Sequence, residues 1–349
     1  MENHRRNLVS VFAACVSLTI ILACSEDTDK ESVDWPQWRY SAGRLPSSPS
    51  KLPSKLHLKW VRQFDLPQPA WPKGQTKLQF DLSYEPVVMG KQVFVPSMVN
   101  DSVTAYQTET GREHWRFFAD APVRFAPIAR NGKVYFVSDD GYLYCLDADD
   151  GVLLWKFRGG PTDRKVLGNG RLVNENPARG GPVFYDGKIY FASGIYPFVG
   201  TYLHALEAET GNVVWTNSGS NSIYVLQAHS APSFAGISPQ GYLVATPKHL
   251  FVSGGRTVPA CYDRLTGEFL YYNPNDKLGG YEVAALGEVY INSNSIFNSA
   301  NGTEIIRQKD GSLVTADRLY HVGDDEVSVY EFPGYYQESI DRKGAKTTH

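Results

Sequence analysis

A glycine turn followed by a tryptophan recurs along the chain, and this motif constrains the fold more than any other feature. Four copies are present: "YQTETGREHWRF" (106–117), "CLDADDGVLLWKF" (145–157), "ALEAETGNVVWTN" (205–217) and "CYDRLTGEFLYYN" (261–273), the last with Tyr271 in the Trp position. Each copy follows a second shared element, as in "GKVYFVSDDG" at Gly132, and two degenerate copies begin at Gly287 and Asp317. A repeat of about 40 residues predicts an array of similar structural units.

Each unit is predicted to form short strands. In the clearest copy, "RFAPIA", "VYFVS", "YLYCLD" and "LLWKF" are rich in aromatic and β-branched residues and are separated by "RNGK", "DDG" and "ADDG" turns. Bulky side chains alternate to both sides of "YLYCLD", which is typical of a strand packed between two neighbouring sheets. The sequence therefore predicts an all-β fold, a β-propeller of about six or seven four-stranded antiparallel blades.

The repeated motif resembles the PQQ-like repeat of quinoprotein-type propellers, and the resemblance covers about residues 34–332. It implies that the Trp of each copy lies in an outer strand and packs against the adjacent blade. "DWPQWR" at Asp34 and "LHLKWVRQF" from Leu56 resemble the first segments of such proteins, whose initial strands often complete the last blade. The branch without cofactor includes BamB-type lipoproteins of outer-membrane assembly, so the resemblance implies a protein-binding disc.

The N-terminus has the layout of an export signal. A basic start with Arg5 and Arg6 precedes an apolar run that ends in "IILAC", which resembles a lipobox. We predict a lipoprotein signal peptide over 1–23, lipidation of Cys24 and an acidic tether over 24–33; a plain signal peptide cut nearby is the alternative. The propeller is predicted over 34–335, with a polar tail over 336–349.

Two insertions interrupt the repeat and contain the candidate ligand-binding residues. The first spans 158–182 and the second 217–242, and long loops on a rigid scaffold are where binding residues concentrate. Guanidinium groups with nearby amide, phenol and imidazole groups suit a carboxylate, a sulfate or a sugar acid. The alternative is that these arginines pair with carboxylates of the chain itself. The candidates are Arg164, Arg171, Asn174, Glu175, Arg179, Tyr224, His229 and Arg256.

Three functions follow from these features. The favoured one is an envelope-anchored binding or assembly scaffold without bound quinone. The second is a lyase or hydrolase of acidic polysaccharides, or a glycan-binding protein, in which His229 and Tyr224 would supply acid–base groups and Arg179 or Arg256 would neutralise a sugar carboxylate. The third is a PQQ-dependent dehydrogenase. The resemblance argues against it, since quinoprotein alcohol dehydrogenases use a vicinal disulfide and the sequence has no adjacent cysteines.

Composition excludes other classes. The 34 basic and 37 acidic side chains nearly balance, so no basic stripe for nucleic acid is predicted. No paired C-x-x-C, H-x-H or H-E-x-x-H spacing supports a metal site. Cys145 and Cys261 are predicted to be separate buried residues rather than a disulfide. The expected partners are an envelope protein or an acidic glycan, and the expected location is the outer membrane or cell surface, with the periplasmic face as an alternative.

Overall fold

The computed structural model describes residues 34–168, 170–218, 223–226, 232–255, 257–273, 279–307, 312–314, 318–322, 327–331, 338–340 and 346–348. Apart from one 3₁₀ turn, η1 (Thr76–Leu78), the regular elements of these residues are all strands. The predictions for residues 1–33, including lipidation of Cys24, lie outside the described residues.

The strands follow one another as sheets and hairpins. The first sheet contains β1 (Val87–Met89), β2 (Gln92–Ser97), β3 (Ser102–Gln107) and β4 (Glu113–Phe118). The second contains β5 (Ile128–Arg130), β6 (Lys133–Val137), β7 (Tyr142–Asp147) and β8 (Leu153–Arg158). A hairpin of β9 (Lys165–Gly168) and β10 (Arg171–Asn174) follows.

The third sheet contains β11 (Gly180–Tyr185), β12 (Lys188–Ser193), β13 (Tyr202–Glu207) and β14 (Val213–Asn217). A second hairpin is formed by β15 (Ile223–Leu226) and β16 (Pro232–Ala235), and β17 (Gly241–Tyr242) then pairs in parallel with β11. The fourth sheet contains β18 (Val244–Ala245), β19 (His249–Gly254), β20 (Thr257–Asp263) and β21 (Phe269–Tyr271).

The fifth sheet contains β22 (Val283–Leu286), β23 (Val289–Asn292), β24 (Ser295–Asn298) and β25 (Glu304–Arg307). A three-stranded sheet of β26 (Ser312–Val314), β27 (Arg318–Val322) and β28 (Val327–Glu331) comes next. The hairpin of β29 (Glu338–Ile340) and β30 (Lys346–Thr348) lies within the stretch predicted as a polar tail.

These sheets have the arrangement of propeller blades. In each of the five main sheets, consecutive strands pair antiparallel in chain order. The first strands of successive sheets contact one another, from β1 to β5, β11, β18 and β22, so they line the axis and the fourth strands lie outside. The predicted β-propeller is confirmed. In the second sheet the first strand is shorter than predicted, because Arg124 and Phe125 leave the strand for buried contacts in the connection before it.

The outer rim joins neighbouring sheets through the repeated aromatic residue. The ring of Trp115, on β4, covers Gly151 in the last turn of the next sheet, where a Cβ would lie 2.7 Å from the indole. Gly151 has a φ of +75°, a conformation that glycine adopts without steric cost. The same contact recurs along the chain in four more pairs, Trp60–Gly111, Trp155–Gly211, Trp215–Gly267 and Tyr271–Gly302.

Trp60 indicates where the N-terminal extended stretch lies. Its indole covers Gly111 of the first sheet, in the same way that each fourth-strand tryptophan covers a turn glycine of the following sheet. The indole also donates to the carbonyl of Thr108 at 2.8 Å. Residues 56–64 thus take the position of an outermost strand, although they form no ladder with another described strand. That this stretch completes the last blade stays a prediction.

A second N-terminal stretch, residues 35–45, runs along the axis and is called the axial segment here. Its backbone pairs with the first strands of four sheets, through Trp35 to Val88, Pro36 to Ala129, Ala42 to Ala245 and Gly43 to Ala285. The side chains of Gln37 and Arg44 reach the first strand of the third sheet. The axial segment therefore contacts the inner strands of five sheets.

The topology separates two faces. Because four antiparallel strands return the chain to its starting side, the connections between sheets and the turns between second and third strands share one face, called the insertion face. The turns with the rim glycines share the other. The hydrophobic core lies between the sheets and includes Cys145 and Cys261, both buried and unbridged as predicted.

Candidate functional site

The first insertion forms the β9–β10 hairpin on the insertion face, and its arginines bind oxygen atoms of the chain itself. Arg164 is 70% exposed and lies 3.4 Å from Glu175. Arg171 ion-pairs with Asp101 and donates to the carbonyls of Met98 and Val99, which ties the hairpin to the first sheet. These contacts show the internal pairing that the sequence left open as an alternative.

Arg179 lies in a buried charge cluster with Arg124. Its Nε and Nη2 donate to the two carboxylate oxygens of Asp139, each at 3.0 Å, and Arg124 Nε donates to Asp139 Oδ2 at 2.7 Å. Burial alone would raise the pKa of Asp139, but the two guanidinium groups outweigh it and hold the pKa at about 2. Arg124 also donates to Asp81 at 2.6 Å. This cluster joins the connections that precede the first, second and third sheets to the β6–β7 turn.

Asn174 closes the base of the hairpin. Its Nδ2 donates to the carbonyl of Thr162, and its Oδ1 accepts from the backbone N–H of Asn176. The side chain is buried, so its polar atoms serve the loop structure. Asn174 and Arg179 are thus placed below the surface, whereas Arg164 and Glu175 lie at it.

The second insertion forms the β15–β16 hairpin. The backbone of Tyr224 lies in β15, paired with Phe234. His229 and Arg256 lie outside the described residues. The structure therefore does not test whether His229, Tyr224 and an arginine converge, and their binding role stays a prediction.

An exposed apolar surface lies beside the first hairpin and was not predicted from the sequence. The turn between β12 and β13, "GIYPFVG" (194–200), places Phe198 at 75% exposure with its ring 5.5 Å from that of Tyr196. Gly194 and Gly200 bond to Pro177 and Asn176, directly after β10. On the hairpin, the cross-strand partners Leu167 and Leu172 are also exposed. Leu167, Leu172, Tyr196 and Phe198 are thus exposed apolar side chains on the insertion face, and we refer to these four residues together as the apolar patch.

The axis is filled by side chains of the axial segment. Trp38 stacks on Tyr242 with ring centroids 4.0 Å apart, and both are buried. Arg44 is fully buried below them and donates to the carbonyls of Leu243 and Pro182 at 2.9 and 2.7 Å. Burial lowers the pKa of Arg44 to about 9, so the guanidinium is still cationic at neutral pH.

This filling bears on the quinone that the resemblance to quinoprotein-type propellers raises. A quinone needs an open aromatic face for stacking, whereas the faces of Trp38 and Tyr242 pack against each other. Among the described residues, no group of three or more His, Cys, Asp or Glu side chains could hold a metal ion. That the protein carries no quinone stays a prediction.

No described helix is long and apolar enough to span a bilayer.

Comparisons with known proteins agree with the propeller. A stretch of 86 residues is 36% identical to the dehydrogenase subunit of a quinone alcohol dehydrogenase from Gluconacetobacter polyoxogenes. This stretch covers 24% of this chain and 11% of that subunit. An equal match is found to the subunit from Komagataeibacter europaeus. The matched stretch thus spans a small part of these relatives.

Solved structures show the same fold. BamB from Moraxella catarrhalis superimposes with a TM-score of 0.52 at 20% identity, over 71% of this chain and 72% of that one. The quinohemoprotein alcohol dehydrogenase from Comamonas testosteroni gives 0.52 at 17% identity, over 90% of this chain and 52% of that one. The family described as "Outer membrane protein assembly factor BamB" matches residues 57–314, and the chain belongs to this family.

Proposed function

We propose that this protein is an envelope-associated docking module that binds another envelope protein through its insertion face and carries no quinone. The apolar patch is the observation that carries the proposal. Leu167, Leu172 and Phe198 are 76%, 62% and 75% exposed, while the arginines described around them are paired internally. Grouped exposed apolar side chains are typical of protein-binding sites, and membership in the BamB family supports a partner in the envelope.

Site-directed crosslinking in the producing cell tests this docking surface. A photoreactive residue in place of Phe198 should crosslink one envelope protein, and Leu172→Ser should reduce that product. The matched control places the same residue at Val152, which is 55% exposed but lies in a rim turn on the opposite face. Equal products from both positions, or none from position 198, would contradict the proposal.

The lipid anchor is part of the same proposal. Acylation of Cys24 would hold the propeller at a membrane surface, since several acyl chains bind a bilayer firmly. Cys24→Ser should move the protein from the membrane fraction to the soluble fraction, with mass spectrometry of the mature N-terminus as the direct readout. A membrane-bound Cys24→Ser variant would show that another feature anchors the protein.

A quinone-dependent dehydrogenase is the second candidate, because the curated relatives with sequence similarity are quinone alcohol dehydrogenase subunits. We expect addition of PQQ and calcium to produce no dye-linked alcohol oxidation, since Trp38 and Tyr242 fill the axis. A bound quinone band with dye-linked alcohol oxidation would overturn the docking proposal. A glycan array, with Arg164→Gln as the comparison, tests the remaining glycan alternative, because Arg164 is an exposed arginine of the first insertion.

A further inference from the structure

A cavity of about 290 Å³ lies at the end of the axis on the insertion face. Its walls come from the axial segment, from η1 and from the first two strands of the fifth sheet with the connection before them. The charged side chains in these walls are those of Arg39, Arg44, Lys77 and Glu282. The volume lies near the lower end of the range for small-molecule sites.

The walls carry excess positive charge. Arg39 and Arg44 approach the same indole, with guanidinium carbons 4.6 and 5.8 Å from the Trp38 ring. Among the described wall residues only Glu282 is acidic, and it bonds to Arg39 at 2.7 Å. Two arginines against one carboxylate leave a net positive charge in these walls.

Arg44 is the group whose charge lacks a counter-ion. Its guanidinium donates to the carbonyl oxygens of Leu243, Pro182 and Trp38 and to the amide oxygen of Gln37. No described carboxylate lies within ion-pair distance of it. Buried charges in proteins are normally paired, because isolated burial is costly. An anion in the adjoining cavity would supply the missing charge at this end of the axis.

Backbone strain is concentrated around the same cavity. Arg39, Arg44 and Ser293 have φ values of +53°, +61° and +53°, a region that residues with a Cβ rarely adopt. All three contribute to the cavity walls. Strained residues cluster at ligand sites, where the surrounding structure holds them in place. The strain is an observation independent of the charge and points to the same cavity.

We propose that this cavity binds a small molecule through a carboxylate group, with Arg39 as the direct ligand and Arg44 as the buried charge behind it. Glu282 already places a carboxylate on Arg39, so the guanidinium fork is positioned for this group. A ligand carboxylate would replace Glu282 on Arg39. The site is separate from the apolar patch and does not depend on the proposed docking function.

Calorimetric titration of the purified mature protein tests the site with citrate, glucuronate, phosphate and neutral glucose as probes. We expect binding of a carboxylate probe and none of glucose. Arg39→Gln should weaken carboxylate binding about tenfold or more, and Glu282→Gln should strengthen it, because the competing internal carboxylate is gone. Arg130→Gln is the matched control, since Arg130 also stacks on an aromatic ring but lines a cavity with Phe184 and Tyr185.

The outcomes separate a built site from incidental binding. Affinity that falls in Arg39→Gln, rises in Glu282→Gln and is unchanged in Arg130→Gln supports the proposal. Absence of carboxylate binding in both the wild type and Glu282→Gln overturns it, and so does carboxylate binding that Arg39→Gln leaves unchanged. If Arg39→Gln does not fold, the Glu282→Gln comparison decides.

Discussion

At the outer rim, each contact between neighbouring sheets uses one aromatic ring and one glycine, whereas at the axis a single segment contacts the first strands of five sheets. The rim contacts are repeated and each belongs to one junction. The axial contacts are unique, and Arg44 by itself bonds to β11 and to the residue that precedes β18. The difference teaches that the rim determines how sheets stack, while the axis determines which side chains fill or line the centre.

The rim should give the largest effect. Trp115→Ala removes a buried ring from the junction of the first and second sheets, and large-to-small changes at such sites cost about 3–5 kcal/mol of unfolding free energy. Urea unfolding of both proteins measures this. Val152→Ala, at an exposed position beside Gly151, should stay within about 0.5 kcal/mol. A similar small effect of Trp115→Ala would mean that the rim contact does not stabilise the junction.

Between rim and axis, His204 should make stability depend on pH. Its Nε2 donates to the carbonyl of Gly159 at 2.8 Å, and in the neutral form its Nδ1 accepts from Thr216 Oγ1 at 2.9 Å. Burial lowers its pKa to about 4, from the usual 6.5. Because the folded-state pKa is depressed, the stabilisation is complete above pH 6.5 and is lost as the pH falls toward 4.

The loss should reach about 3 kcal/mol at pH 4, since each pKa unit corresponds to about 1.4 kcal/mol. Unfolding free energies measured from pH 7 to pH 4 for the wild type and His204→Gln give the effect as a difference, which cancels the other titrating groups. Parallel pH profiles for the two proteins would show that His204 is not the responsible group.

At the axis, Arg44→Lys should cost about 2 kcal/mol. An ammonium group is a point donor, so it cannot reach the carbonyls of Leu243, Pro182 and Trp38 together as the planar fork does. Thermal or urea unfolding measures the change, and Arg130→Lys, at a more exposed position, should be near neutral. An Arg44→Lys protein with unchanged stability would show that the guanidinium fork does not hold the axial segment in place.

The smallest expected effect distinguishes two rim junctions. The indole of Trp115 donates to the carbonyl of Ala148 at 2.9 Å, whereas Trp155 Nε1 has no acceptor among the described residues. At the latter junction, Tyr135 Oη donates to Ala208 O at 3.1 Å. Trp115→Phe should therefore cost about 1 kcal/mol more than Trp155→Phe in unfolding free energy. Equal costs would show that these indole hydrogen bonds add nothing to ring packing.

Several sequence predictions rested on local patterns and were confirmed. The strands β6, β7 and β8 follow the alternation of "VYFVS", "YLYCLD" and "LLWKF" closely, since short turns and bulky residues specify hairpins locally. The same applies to Tyr271, which was assigned to the Trp position and covers Gly302. In the "DADDG" turn, Gly151 provides the positive φ, while Asp147 and Asp150 accept backbone N–H bonds.

Long-range pairings could not be predicted in this way. Arg171 pairs with Asp101, and Arg179 with Asp139, across stretches of 70 and 40 residues. Residue type alone made these arginines candidates for a ligand, and only their position decides which oxygen atoms they contact. The patch around Phe198 was missed because "GIYPFVG" reads as a continuous apolar turn, and its exposure depends on where the loop projects.

The sequence by itself determined the repeated architecture, because each turn, strand and rim aromatic depends on neighbouring residues and is written several times in the chain. The tertiary structure alone decided the role of the unrepeated parts. "DWPQWRYSAGR" contains no pattern that predicts an axial path, since its contacts come from five different sheets. Charge balance at Arg44 and exposure at Phe198 likewise depend on groups distant in the chain, which meet only when the sheets close around the axis.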